Sequence, residues 1–487
     1  MRAHEAGALH AEGYRGPTWL QLPHDVNALT PSLWAQNVGR SGDGVLQVAG
    51  VPVTDLAAKF GTPAYVVDEA DFRWRAKEFA KTYDEIFGDL CGGADVYYAG
   101  KAFLCTEVAR WIRDDGLNLD VCSGGELLTA LRAGFPAERI AFHGNNKSTA
   151  ELELALDAGV GRYVVDSFEE IARLAFAARE RATVADVLVR VTVGVEAHTH
   201  EFIATAHEDQ KFGFSLAGGD ALEAVRRIVG LPSLRLLGLH SHIGSQIFDT
   251  AGFEVSAHRL VGLAAAVRDE LGVAVTELDL GGGMGIAYTE GDDPISPKEM
   301  ADLLRDIVTR ECTAYGLALP RLAVEPGRAV VGQSMITVYE VGTVKKVDLG
   351  SGHARHYVSV DGGMSDNIRP ALYHADYSAR IACRVSDAEP ILVRVAGKHC
   401  ESGDIVVHAE YLPGDVAAGD LLAIPATGAY GWAMASNYNW IARPPVVAVR
   451  DGRARIIVRG ETVDDLLARD AGVTPGRAAG SEGAAVQ

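Results

Sequence analysis

Residues 95–125 read DVYYAGKAFLCTEVARWIRDDGLNLDVCSGG. Asp95–Ala99 is a short run rich in β-branched and aromatic residues, Leu117–Val121 alternates apolar with polar residues, and Leu104–Asp114 between them spaces its apolar residues at helical period. Strand, helix and strand in so short a span form a βαβ unit, whose strands run parallel. The alternation continues outward. Further strands are expected at Ile140–His143, Arg162–Asp166, Val187–Val193, Leu234–His240, Val275–Leu280 and Arg321–Val324. Helical patterns at Glu126–Ala133, Thr149–Ala158, Ile171–Arg181, Ala221–Val229, Phe253–Leu271 and Pro297–Ala314 fill most gaps. Ser167, followed three residues later by Glu170, has the spacing of a capping box. An open doubly wound sheet would share this alternation, but eight units favour a closed (β/α)8 barrel of the TIM type.

After about Val330 the texture changes. Short alternating runs at Ser334–Val341, His356–Val360, Ile391–Val395, Leu421–Ile424 and Val446–Val449 point to a second, mainly antiparallel β domain. The fold class is therefore α/β plus β. The expected boundaries are an N-terminal extension over 1–67, with runs near Leu46–Tyr65 joining the β domain, the barrel over 68–330 and the β domain over 331–470. A Gly/Ala-rich tail over 471–487 is expected to be disordered.

Composition limits the function. Hydrophobic residues at 48% and charged residues at 23% fit a soluble protein with a large core and exclude collagenous or disordered chains. Lys and Arg total 45 against 65 Asp and Glu, so the net charge of −20 repels nucleic acid and anionic membranes. Neither a signal peptide in Met1 to Ala11 nor a membrane span is expected. Six scattered cysteines without a C-x-x-C pair argue against a zinc knuckle or disulfide framework and for a reducing, cytoplasmic setting.

Polar and glycine residues follow nearly every strand, as the catalytic face of a barrel requires. Lys101 directly follows the first apolar strand, where burial is expected to lower its pKa and fit it for Schiff-base chemistry. Leu278-Asp279-Leu280-Gly281-Gly282-Gly283 is a strand entering a glycine turn whose N–H groups can approach a phosphate, to which Ser245 can add a hydroxyl. No dinucleotide fingerprint or P-loop is present. Glu325 ends the eighth strand, where it can hold a pyridinium N–H or merely pair with Arg328. His240 and His242 form an H-x-H that can bind metal or lay an imidazole on a cofactor ring. No second His/Asp cluster is spaced to complete a metal site, so no metal is expected.

Four segments together resemble the fold-type III pyridoxal-phosphate decarboxylases: Tyr98-Ala99-Gly100-Lys101-Ala102, His240-Ser241-His242-Ile243-Gly244-Ser245-Gln246, Glu325-Pro326-Gly327-Arg328 and Cys400-Glu401-Ser402-Gly403-Asp404. The likeness runs from about Leu46 to Arg450. Residues 361–373 and Lys398-His399-Cys400-Glu401 are most similar to the branch acting on diaminopimelate. The resemblance implies pyridoxal 5′-phosphate as cofactor, held covalently by Lys101. It implies that Ser245, Gly282 and Gly283 seat the phosphate, that Tyr430 adds a contact, and that Gly327 and Arg328 belong to the cofactor site. Glu325 would keep the ring nitrogen protonated and His242 would stack on the ring. Arg328, Arg369, Tyr373, Glu401 and Tyr430 would bind a small amino-acid substrate, and Cys400 would donate a proton. The implied reaction turns meso-2,6-diaminopimelate into L-lysine and carbon dioxide, closing lysine biosynthesis, in a homodimer whose Cys400 and Glu401 reach the other subunit's Lys101. Alternatives are a decarboxylase of another amino acid, a racemase, a non-catalytic pyridoxal-phosphate-binding relative, and a metal-dependent hydrolase. Glu325 argues against the racemase, which usually places Arg there.

Overall fold

The computed structural model describes residues 16–90, 93–194, 211–350 and 353–473. The expectations for Met1 to Ala11, for Cys91 and for the tail beyond 473 lie outside these residues. In chain order, strand β1 (Ala64–Asp68) precedes eight parallel strands. These are β2 (Ala94–Ala99), β3 (Asn118–Val121), β4 (Ile140–Phe142), β5 (Arg162–Val165), β6 (Ala185–Thr192), β7 (Leu234–His240), β8 (Glu277–Asp279) and β9 (Arg321–Val324). Each pairs in parallel with its neighbour, and β9 returns to β2, so the barrel closes.

Serines start four of its helices. Ser123, Ser148, Ser167 and Ser296 each accept the N–H of a glutamate three residues on, a contact worth about 1 kcal/mol per cap. At Ser167 only half the expected capping box forms. The Glu170 carboxylate turns instead to the Asp166 N–H at 3.2 Å and to buried Lys147 at 2.7 Å. The full box is at Ser148 and Glu151.

The two ends of the barrel have different chemistry. At the strand starts Arg162 pairs with Glu277 and Arg321 with Asp95, both at 2.7 Å, and Arg162 lies over the Tyr97 ring. These interlocked charges plug the floor. At the strand ends the inward side chains are Asp120, His143, His240, Asp279 and Glu325, all buried.

The second sheet is mixed. The long strand β10 (Met335–Gly350) pairs antiparallel with β11 (His353–Val360), with β14 (Leu421–Ile424) and with β1. Strand β12 (Pro390–Ala396) runs parallel to β11 and antiparallel to β13 (Ile405–Pro413). On the other side β1 runs parallel to β15 (Val446–Arg450). The segment ahead of the barrel thus supplies an inner strand of this sheet. Its core meets the barrel through Ile286 and Tyr288, which pack with Tyr339, Val341 and Tyr377.

Candidate active site

Lys101 sits on a single helical turn, Gly100–Ala102, directly after β2. Gly327 allows this turn to lie against β9, since a Cβ there would stand 2.9 Å from the Ala99 Cβ. The Tyr430 N–H donates to the Ala102 carbonyl at 2.9 Å, bringing the β-domain tyrosine to the lysine. The expectation of a lowered lysine pKa fails here. Burial does lower it, but Tyr430, Asp120, Cys122 and Glu325 outweigh that effect and hold the ammonium above its ordinary range.

Glu325 is the centre of a buried cluster. Its Oε1 lies 3.0 Å from His143 Nε2 and 3.3 Å from His240 Nε2. Burial opposes its ionisation, yet His143 and then His240 more than compensate and keep the carboxyl well below the usual range. Asp279 moves the other way, since burial and then the neighbouring Glu325 charge push it well above. Of the two carboxyls, burial and charge thus drive Asp279 toward its neutral form, while the histidines drive Glu325 toward its anion. Burial lowers His240 to about 4, so it is neutral. His143 stays above its ordinary value because Asp120 and Glu325 outweigh its burial.

His242 leaves the strand and does not join this cluster. Its Nδ1 accepts the Gly282 N–H at 3.2 Å, which fixes the ring and assigns the proton to Nε2. Burial, then Lys101, hold it well below its ordinary pKa. The histidine that completes a group of possible ligands is His143. His143, His240 and Glu325 present ligand atoms within 4.8 Å of one another. The sequence reading missed it because His143-Gly144-Asn145 looks like any strand-end turn.

The glycine turn is shaped by close approach. Gly283 has φ +110°, and a Cβ there would stand 2.6 Å from the Gly244 carbonyl. Among the described residues the Gly283 N–H makes no hydrogen bond, whereas that of Gly281 binds Asp279 and that of Gly282 binds His242. Ser245 faces this turn, and its Oγ accepts from Arg328 Nη2 at 2.8 Å. The alternative Glu325–Arg328 pair does not form. Arg328 instead binds the Tyr288 hydroxyl and lies 4.9 Å from the Tyr430 ring centroid.

Arg369 begins the short helix Arg369–Tyr373, with Tyr373 half-buried one turn on. Its guanidinium binds the Tyr377 hydroxyl and sits 4.5 Å from the Tyr288 centroid. Both arginines are buried around one tyrosine pair, and among the described residues neither has a carboxylate partner. Cys400 and Glu401 are exposed on the loop before β13. That loop is tied to residues 361–373 by Asp404, which accepts the N–H groups of Met364 at 2.6 Å and His399 at 2.8 Å. Among the described residues, the hydrogen bonds of Cys400 and Glu401 reach only Asn439, Ser402, Gly403 and Asp404, and none joins the barrel mouth of the same chain.

A pyridoxal group fits these residues. A part-buried lysine stands beside a carboxylate that stays ionised, and Glu325 Oε1, His143 Nε2 and both His240 ring nitrogens are buried without an aligned hydrogen-bond partner. Nearby, a side-chain-free turn offers an open N–H and a serine hydroxyl.

Residues 70–332 match the family model described as pyridoxal-dependent decarboxylase, pyridoxal binding domain. The chain is 57% identical over 443 residues to diaminopimelate decarboxylase of Mycobacterium tuberculosis, covering 90% of this chain and 98% of that one. The chain belongs to the diaminopimelate decarboxylases, within the pyridoxal-dependent decarboxylase family. The Mycobacterium leprae member of this family is 55% identical over 96% of the chain and 99% of its own length. The crystal structure of the M. jannaschii diaminopimelate decarboxylase in complex with L-lysine superposes with a TM-score of 0.82 at 30% identity, covering 91% of this chain and 99% of that one. A lysine/ornithine decarboxylase from Vibrio vulnificus, 21% identical with a TM-score of 0.66, shares the fold. Members of this family are enzymes, and no helix among the described residues of this one is long and apolar enough to cross a membrane.

Proposed function

We propose that this enzyme uses pyridoxal 5′-phosphate to decarboxylate meso-2,6-diaminopimelate to L-lysine in the last step of lysine biosynthesis, as a cytoplasmic homodimer. The observation that carries the substrate is the pair of buried arginines without acidic partners. Buried cations without counter-charge are costly, so Arg328 and Arg369 call for an anionic ligand. A dicarboxylic diamino acid supplies a second carboxylate that an ornithine-like substrate lacks.

When bound, the cofactor takes up the electron pair released as carbon dioxide leaves. Lys101 would hold it through its side-chain amine and would release it to the substrate. The Gly283 N–H and the Ser245 hydroxyl seat its phosphate, with Arg328 orienting Ser245 and Tyr430 closing one side. The Gly282 N–H holds neutral His242 against the ring face. Glu325, kept anionic by its neighbours, holds a proton on the ring nitrogen. Arg369, with Tyr373, binds a substrate carboxylate, and Glu401 meets the distal ammonium. Cys400 delivers a proton to the carbon that has lost its carboxylate, a general-acid task. Within this scheme the barrel is the cofactor domain, over 68–330, and the β domain brings the substrate end.

Arg369→Met tests the substrate assignment. It should lose activity on diaminopimelate by the equivalent of roughly 2–5 kcal/mol, and lose much less on residual substrates without the second carboxylate. Equal losses on both would show that Arg369 binds something common to them.

The exposure of Cys400 and Glu401 supports a site completed across a two-fold axis. Cys400→Ala and Lys101→Ala should each be nearly inactive alone. Unfolded together and reassembled, about half the dimers are mixed, each with one intact site, so activity should return to roughly one quarter of wild type. No recovery, with mixed dimers shown to form, would place the chemistry inside each subunit.

A further inference from the structure

We infer that His143 and His240 act together as positioning residues that keep the proton of the Glu325–cofactor pair on the ring nitrogen and off the carboxylate. The inference rests on the cofactor reading above and goes beyond it, because His143 lies outside the motifs that carry that reading and His240, though inside one, has no role in it. The two rings come from different strand ends, His143 after β4 and His240 at the end of β7, and converge on one oxygen. Their Nε2 atoms stand 3.0 and 3.3 Å from Glu325 Oε1, and the ring centroids are 5.0 Å apart in an edge-on arrangement. Asp279, on β8, faces the same carboxylate, and Asp120, on β3, lies 3.7 Å from His143 Nε2.

The physical need for such a pair is direct. A carboxylate as buried as Glu325 would ordinarily take a proton rather than remain charged, and a protonated Glu325 could not hold a proton on the ring. Two nitrogen groups at one oxygen stabilise the anion in place. Their nearness also makes it a weaker base, because a positive or polar group beside a carboxylate favours its anionic form. Both effects favour the proton on the ring nitrogen. Asp120 approaches the same Nε2 at 3.7 Å, and its charge, with that of Glu325, favours the protonated form of His143. His242 is excluded from this function, since its Nδ1 already accepts the Gly282 N–H.

The test compares binding of pyridoxal 5′-phosphate with that of its 1-deaza analogue, in which CH replaces the ring nitrogen. Cofactor-free wild type, His143→Ala and His240→Asn are titrated with each compound by fluorescence, so no turnover is needed. Wild type should prefer the natural cofactor. In each variant the preference should shrink by at least about threefold, with analogue binding changed far less, since only the natural ring has the atom concerned. His240→Asn retains a polar group of smaller size and provides a second route if His143→Ala folds poorly. A ratio unchanged in both variants overturns the inference and leaves the cofactor reading intact, whereas a wild type indifferent to the ring nitrogen overturns the inference together with the role of Glu325 at that nitrogen. A wild type that binds neither compound overturns both.

Discussion

Lys101→Ala is expected to abolish turnover and to remove the visible absorption of lysine-bound cofactor. The position allows no substitute. Lys101 is the ammonium set on the turn after β2, and Tyr430, Asp120, Cys122 and Glu325 gather their charge or dipoles around it. The variant can still hold the cofactor without a covalent bond, through the Gly283 turn and Ser245, so absorbance and activity must be read on the same sample. A variant that keeps full activity would contradict the cofactor chemistry altogether.

Glu325→Gln should keep the fold and lower the rate by at least ~10²-fold, the scale expected for a group that stabilises charge in the transition state. An amide has the size of the carboxylate but cannot carry its charge, so it cannot hold a proton on a ring nitrogen. The substitution also removes one of the two anions facing His143 and leaves Asp120 as its remaining partner. Circular dichroism and cofactor content separate this loss from unfolding. An unchanged rate with cofactor bound would make Glu325 a structural residue. The pairing with Arg328 would not explain such a result, because Arg328 is engaged by Ser245 and Tyr288 instead.

The barrel could be read from the chain because each strand and helix carries its own period. The predicted Leu234–His240 and Arg321–Val324 coincide with β7 and β9, and Thr149–Ala158 and Pro297–Ala314 with two helices. Strand ends were less legible. Val275–Leu280 contracts to Glu277–Asp279, where the glycine turn begins earlier than the apolar pattern suggests. The mixed second sheet was hidden for a different reason. Strand β1 finds β15 from the far end of the chain, and no local pattern records whether such a partner runs parallel or antiparallel.

The same division holds in the site. Lys101, Glu325 and the glycine turn stand in short recognisable segments. His143, Asp120, Tyr288 and Tyr377 become significant only by what they meet in space. The error about Lys101 has this origin: burial can be guessed from an apolar strand, but its acidic neighbours come from other strands. Arg328 and Arg369 were legible as cations, yet their lack of acidic partners, which carries the substrate assignment, is a property of the folded packing.

The central claim is tested most directly by incubating the cofactor-loaded enzyme with meso-2,6-diaminopimelate and measuring carbon dioxide and L-lysine together. Equal amounts of the two, with little carbon dioxide released from L-ornithine or L-arginine, is the expected result. Carbon dioxide from ornithine or arginine, and none from diaminopimelate, would contradict the account.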